Sequence, residues 1–461
     1  MQKVRFLLAL AGTVLFTGCV PSASSQSREP RWTTGFWFWN DGYVNKMRPA
    51  EPLDVLFVRV GEIRKDTPPL YVRAPEKREE RWVVWGELPK ELPPAQEYWL
   101  VFRFEQQGVP DPTVIPMFEE ALSRLAVEAR YQHLKVAGVQ LDIDSPTNSL
   151  PQYAEFLAAL RPKLPDGYQL SITALLDWFR SGTGVGEVIT QTDEFVPQFY
   201  DLGLPGSREP AIAAKVDAAQ WGPVFDRFGK WFRIGISSFG RGRFVSGSQG
   251  VASATLSGGP FYNDVSPLEI ATNPVFRLEA IRNATNELVL TYRAIRKTTI
   301  SYKEFGSGDG VQFILATPDT IRAAVADARR MGSHAAGVVF FRWPTESEAL
   351  AMQPNEVLSA AGLASRPRPP EIRKVDGGCA TVKCADLYLE HAESMSSHSL
   401  SYLVRTSKPM EYFLPEQKMP VRMSNPSEIL LTLPPYGGRG RLFLGRAVTM
   451  EEADFSVKQV Q

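Results

Sequence analysis

From Val139 to Asp144 the chain alternates strictly between apolar and polar residues: Val139, Gln140, Leu141, Asp142, Ile143, Asp144. Successive side chains of a strand point to opposite faces, so Gln140, Asp142 and Asp144 share one face and Val139, Leu141 and Ile143 the other. A strand with one apolar and one acidic face suits a barrel wall, with helices against the apolar side and a site on the acidic side. Burying two carboxylates costs free energy unless they are paired or put to chemical use, so function is sought here first.

Hydrophobic patterning predicts seven further strands, at residues 36–39, 54–60, 98–104, 169–175, 195–201, 232–238 and 336–341. Pro197 is a mild objection to a central strand at 195–201. Helical spacing predicts helices at 114–131, 152–164 and 320–331, the second ended by Pro165 and Gly167. Strands alternating with helices predict an α/β fold, a (β/α)8 TIM barrel, over residues 32–365. Residues 241–317 interrupt the repeat as an α+β insertion after strand seven. Within it, Gly306-Ser307-Gly308-Asp309-Gly310 reads as a hairpin turn rather than a phosphate loop. Arg366-Pro367-Arg368-Pro369-Pro370 reads as a linker, and residues 366–461 predict a C-terminal β-sandwich-like domain.

The first 18 residues read as a targeting segment: Lys3 and Arg5 precede an apolar run from Phe6 to Phe16 that is too short to span a bilayer. Phe16-Thr17-Gly18-Cys19 resembles a bacterial lipobox, which implies lipidation at Cys19 and a Ser- and Pro-rich tether over residues 19–31. Val20, not Asp, follows the cysteine, so the expected location is the cell envelope, at the periplasmic face of an outer membrane. An ordinary secretory signal with an incidental cysteine is the alternative. In an exported chain the two remaining cysteines, Cys379 and Cys384, predict one local disulfide. His133, His334, His391 and His398 are scattered and match no zinc spacing, so neither a metal nor another cofactor is expected. Lys+Arg and Asp+Glu both number 51 and no basic run occurs, which argues against nucleic acid as a partner.

Catalytic groups of such barrels stand at the C-terminal ends of the strands. Asp142 and Asp144 close strand four, Asp177 and Trp178 follow strand five, Gln198, Tyr200 and Asp201 close strand six, and Arg342 and Trp343 follow strand eight. Carboxylates, a phenol and aromatic rings at one rim suit glycoside chemistry: an acid protonates the leaving oxygen, a second group stabilises the cationic sugar, and ring faces hold the substrate. Trp178 and Trp343 are the candidate sugar platforms, whereas Trp37, Trp39 and Trp99 read as core or barrel wall.

These motifs resemble those of the chitinase-type glycoside hydrolases of family 18. Those carry Asp-x-x-Asp-x-Asp-x-Glu on strand four, the last Glu being the proton donor; this chain has Ala137, Gln140, Asp142 and Asp144 in those places. The family's strand-six Met-x-Tyr-Asp is matched by Gln198-Phe199-Tyr200-Asp201, and Trp343 stands near its strand-eight Trp. The resemblance implies that Asp144 protonates, that Asp142 orients the 2-acetamido group of the substrate, and that Tyr200 bonds its carbonyl, with Asp201 close by and Gln140 lining the site. Asp for Glu withdraws the carboxyl by one methylene, and a misplacement of about 1 Å can cost on the order of 100-fold in rate. Most of residues 32–450 resemble more closely a group of bacterial exported proteins sharing domain of unknown function 3142.

Three functional readings stay open. One is hydrolysis of an envelope or extracellular polysaccharide. The second is a non-catalytic carbohydrate-binding or scaffold lipoprotein, in which Arg59, Arg103 and Arg342 neutralise the acids in a structural network. The third is an assembly factor whose C-terminal domain binds another envelope protein.

Overall fold

The computed structural model describes residues 31–39, 49, 51–66, 81–106, 108–200, 216–247, 265, 267–284, 287–300, 302–345, 348, 350–363, 369–391, 399–416, 419–434 and 441–460. The targeting segment with Cys19, and also Asp201 and His398, lie outside the described residues.

Eight parallel strands close into a barrel: β1 (Thr33–Phe38), β2 (Leu53–Asp66), β3 (Ala95–Phe104), β4 (Val136–Ile143), β5 (Gln169–Leu175), β6 (Glu194–Gln198), β7 (Trp231–Ser237) and β8 (Ala335–Trp343). Each pairs with the next, and β8 pairs with β1. The alternation predicted for β4 holds: Val139, Leu141 and Ile143 are sealed against the outer layer, and Gln140 and Asp142 point inward. Pro197 is accommodated where the β6–β7 pairing skips from Phe195 to Gln198.

The outer layer is helical. α1 (Ile115–Tyr131) buries Phe118, Leu122 and Leu125, with Phe118 4.5 Å from Phe102 of β3. α2 (Leu150–Leu160) follows β4 and buries Tyr153, Phe156 and Leu157. α3 (Val185–Thr190), α4 (Ala218–Asp226), α5 (Pro267–Thr272), α6 (Pro318–Ala328) and α7 (Pro354–Ala360) come later in the chain. Glycine decides one interior contact: a Cβ on Gly235 of β7 would stand 3.0 Å from Trp37 and 3.1 Å from Tyr200, so its absence makes room for both rings on the barrel axis.

Several elements escaped the pattern reading: α3, α4, α5 and α7, and a strand beside β2. β2 runs on to Asp66, and the strand Arg81–Gly86 pairs antiparallel with this extension.

After β7 the insertion forms a four-stranded antiparallel sheet in the order Phe276–Ala284, Glu287–Ala294, Gly310–Leu315, Arg241–Val245. Leu288, Leu290, Tyr292, Val311 and Phe313 join its inner face to the main core. Beyond Pro370 two four-stranded antiparallel sheets enclose a second core containing Leu387, Leu389, Tyr402, Val404 and Leu431. Leu268 and Ala271 of α5 pack against that core. Cys379 and Cys384 form a disulfide. Among the described residues no helix is long and apolar enough to cross a membrane.

Candidate functional site

Inward-facing polar residues stack in two layers inside the barrel. The lower joins Trp37, Gln140, Ser171, Glu194, Arg233 and Thr33. The Trp37 indole N–H donates to Gln140 Oε1 (2.7 Å), Gln140 Nε2 to Ser171 Oγ (3.1 Å), and Ser171 Oγ to Glu194 Oε1 (3.3 Å). Glu194 pairs with Arg233, whose Nε donates to Thr33 Oγ1 (2.8 Å). Indole can only donate, so the direction of every bond in this chain is fixed. Burial pushes the Glu194 pKa up, and the Arg233 charge only partly opposes it.

The upper layer lies at the C-terminal mouth. Asp142, 3% exposed, accepts from Arg103 Nη1 (2.5 Å), Thr173 Oγ1 (2.7 Å) and Gln198 Nε2 (3.4 Å). Three converging donors leave Asp142 little freedom to turn. Asp144 differs: its side chain is 48% exposed, with Arg103 Nη2 3.7 Å from Oδ2. The cause is local. The Ser145 amide donates to Ile143 O (2.8 Å), so Asp144 is the central residue of a γ-type turn that ends β4 and swings its carboxylate out. Burial works against the Arg103 charge, but the charges of Asp142 and Asp144 outweigh it and raise its pKa above the ordinary value. One guanidinium thus bridges a buried carboxylate and an accessible one.

The two tryptophans expected to hold sugars do not stand at the mouth. Trp178 is fully buried in the outer core, its indole N–H donating to Ser145 O (2.8 Å) and its ring 6.0 Å from Tyr153. It anchors the turn that carries Asp144 and has no free face for a sugar. Trp343 is equally buried, edge-on to Phe36 at 5.2 Å. Both lie on the helix side of the barrel wall: Trp178 stands in a turn after β5, and Trp343 ends β8 beyond a register shift against β1 that simple alternation does not foresee. Gln140 is likewise sealed, with both ends of its amide engaged.

Gln198 reaches Asp142, as above. Tyr200 is buried, stacked on Phe341 at 4.6 Å and edge-on to Trp37 at 5.7 Å. Asp177 is half-buried in the short 3-10 turn Leu176–Phe179 that follows β5. Arg342 pairs with Glu348 (2.5 Å) and Arg59 with Glu62, while Arg103 pairs with both Asp142 and Asp144. The aromatic residues that do top the interior cluster are Trp39 and Phe341, both half-buried and 5.7 Å apart. Their signal was present in the sequence, since Trp37 and Trp39 fall on the same face of β1 and its continuation, one turn of the pleat apart.

Among the described residues one group could hold a metal ion, Glu371, Glu390 and His391, on the C-terminal sheets and remote in sequence from the mouth. Arg373 and Arg441 already pair with Glu390, at 3.4 and 3.6 Å.

Residues 100–274 match a family model described as a domain of unknown function, DUF3142. Among curated proteins none matches the chain. Similar solved structures include chitinase ChiA74 from Bacillus thuringiensis, with 10% identity, TM-score 0.45, and 92% of this chain and 100% of that chain covered. The chitinase from Chromobacterium violaceum has 13% identity, TM-score 0.45 and coverage of 73% and 100%. The Bacillus cereus spore cortex-lytic enzyme SleL has 12% identity, TM-score 0.42 and coverage of 72% and 75%.

Proposed function

We propose that this protein hydrolyses a glycosidic bond of an envelope or extracellular polysaccharide, with Asp144 as the general acid. One observation carries this: at the mouth of the barrel, two carboxylates of one strand share the Arg103 guanidinium, one locked on three donors and the other turned toward solvent. Asp144 gives its proton to the leaving glycosidic oxygen as the C1–O bond breaks. The cationic sugar forms near the fixed charge of Asp142, and water adds at C1 and returns a proton to Asp144. Tyr200 and Phe341 lie beneath the sugar. A specific observation favours the non-catalytic binding reading instead: Arg103 charge-compensates both acids, and such networks exist without chemistry.

Incubation of the full chain with peptidoglycan, chitin-type and exopolysaccharide fragments, read by mass spectrometry, separates the two. Cleavage that disappears in Asp144→Asn supports the hydrolase. Binding without cleavage, unchanged in that variant, supports the binding barrel. The chain is exported in this proposal and lipid-anchored through Cys19, so Cys19→Ala is expected to leave the membrane fraction.

A further inference from the structure

The extension of β2 past the mouth places an exposed aromatic ring in line with the acids. A register shift between Arg59 and Gly61 decides which way the extension faces. Before the shift Arg59 lies opposite Val101; after it Glu62 lies opposite Arg103, which lies opposite Asp142. On its other side Glu62 lies opposite Trp85 of the strand Arg81–Gly86. Paired residues of neighbouring strands share a face, so Trp85, Glu62, Arg103 and Asp142 form one row on the inner face of the sheet.

The reverse face agrees. Trp82 and Val84 pack on the outer core, Trp82 lies 6.0 Å from Phe104, and a Cβ on Gly86 would meet Leu125 of α1 at 2.9 Å. Gly61 lets the two strands close up, since a Cβ there would stand 2.2 Å from Trp85 O. Three strand spacings of about 4.8 Å put Trp85 roughly 14 Å from Asp142 along the sheet. Trp85 is 38% exposed, and no other tryptophan among the described residues is as exposed. A single exposed aromatic ring is ordinary by itself; what singles out Trp85 is its place in the row that ends at Asp142.

We propose that Trp85 is the platform of a distal sugar subsite, stacking a pyranose ring of the same glycan chain that reaches Asp144. The subsite rests on the glycan reading of the mouth. It takes a ring several units removed from the one beside the acids, and the groups between, Glu62 and Arg103, face the intervening hydroxyls. Its consequence is a dependence of affinity on chain length.

The test is titration of the full chain with chitin-type and peptidoglycan oligosaccharides of increasing length, followed by calorimetry, for the native protein, Trp85→Ala and Trp85→Tyr. Thermal melting of each variant checks the fold. The expected result is about a tenfold loss of affinity in Trp85→Ala for long oligosaccharides, the equivalent of one good aromatic contact, with short ones unaffected and Trp85→Tyr close to native. Equal binding by the native protein and Trp85→Ala at every length overturns the subsite and leaves the mouth reading standing. Failure of the native protein to bind any of these glycans overturns the mouth reading, and the subsite with it.

Discussion

The two polar layers of the barrel carry the same four kinds of side chain. Below are Gln140, Ser171, Glu194 and Arg233; above are Gln198, Thr173, Asp142 and Arg103. Each has an amide, a hydroxyl, a carboxylate and a guanidinium in contact. They differ in where the hydrogen bonds end. In the lower layer both ion-pair partners are 7% exposed, and the chain closes on Trp37 at one end and Thr33 at the other. In the upper layer the guanidinium is 30% exposed and reaches past the buried acid to one in solvent. A sealed network contributes to the uniqueness of the fold; an open one can exchange a partner for a ligand. Residue type alone therefore does not distinguish a polar core from a site.

The contrast can be broken from either side. The largest expected effect is on turnover: Asp144→Asn lowers the rate of glycan cleavage by about 100- to 10,000-fold while the melting temperature stays within a degree or two of native. In the lower layer the reverse holds. Glu194→Ala strands the buried Arg233 charge and destabilises the fold by roughly 3–5 kcal/mol in denaturant melts. If Glu194→Ala leaves stability unchanged, the lower layer is not the sealed network described. A smaller loss, about 2 kcal/mol, is expected for Trp178→Phe, which deletes the N–H to Ser145 O and leaves a cavity where the rest of the indole packed.

The smallest effects are in pH dependence. Burial raises the Glu194 pKa above its ordinary 4.5. Its contribution to stability is therefore fully present below 4.5 and is lost as pH rises through the folded value. Native stability relative to Glu194→Gln should fall over that rise. The opposite sign is expected at Asp386, whose pKa is lowered by its hydrogen bonds with Arg446, opposed by slight burial. Its contribution is present above the ordinary 3.8 and is lost as pH falls through the folded value. Melts of Asp386→Asn against native between pH 7 and strong acid, expected to converge at the acid end, check this.

Much of the barrel was legible because strand periodicity is a local property. Segment 169–175 coincides with β5, and 98–104 and 336–341 fall within β3 and β8. The inward face of β4 was legible for the same reason. What lay beyond strand ends was not. Trp178 and Trp343 were placed at the mouth as residues following strands, whereas a short turn after β5 carries Trp178, and a register shift against β1 at the end of β8 turns Trp343, into the outer core. Arg81–Gly86 was missed because its pairing with β2 depends on a partner some twenty residues away and on a bulge that no local pattern announces.

The sequence by itself determined the order of the eight barrel strands and the acidic face of β4, because strand alternation follows from backbone geometry. It offered Arg59, Arg103 and Arg342 as groups to neutralise that face, and the structure put Arg103 on both acids. Only the tertiary structure decided which acid is buried and which is half exposed, because that depends on a turn at Asp144 held by Trp178 from another segment. It alone placed Trp85 in line with the acids, because register between strands is set by long-range pairing. The near-identical chemistry of the two layers became distinct only when closure of the barrel sealed one of them from water.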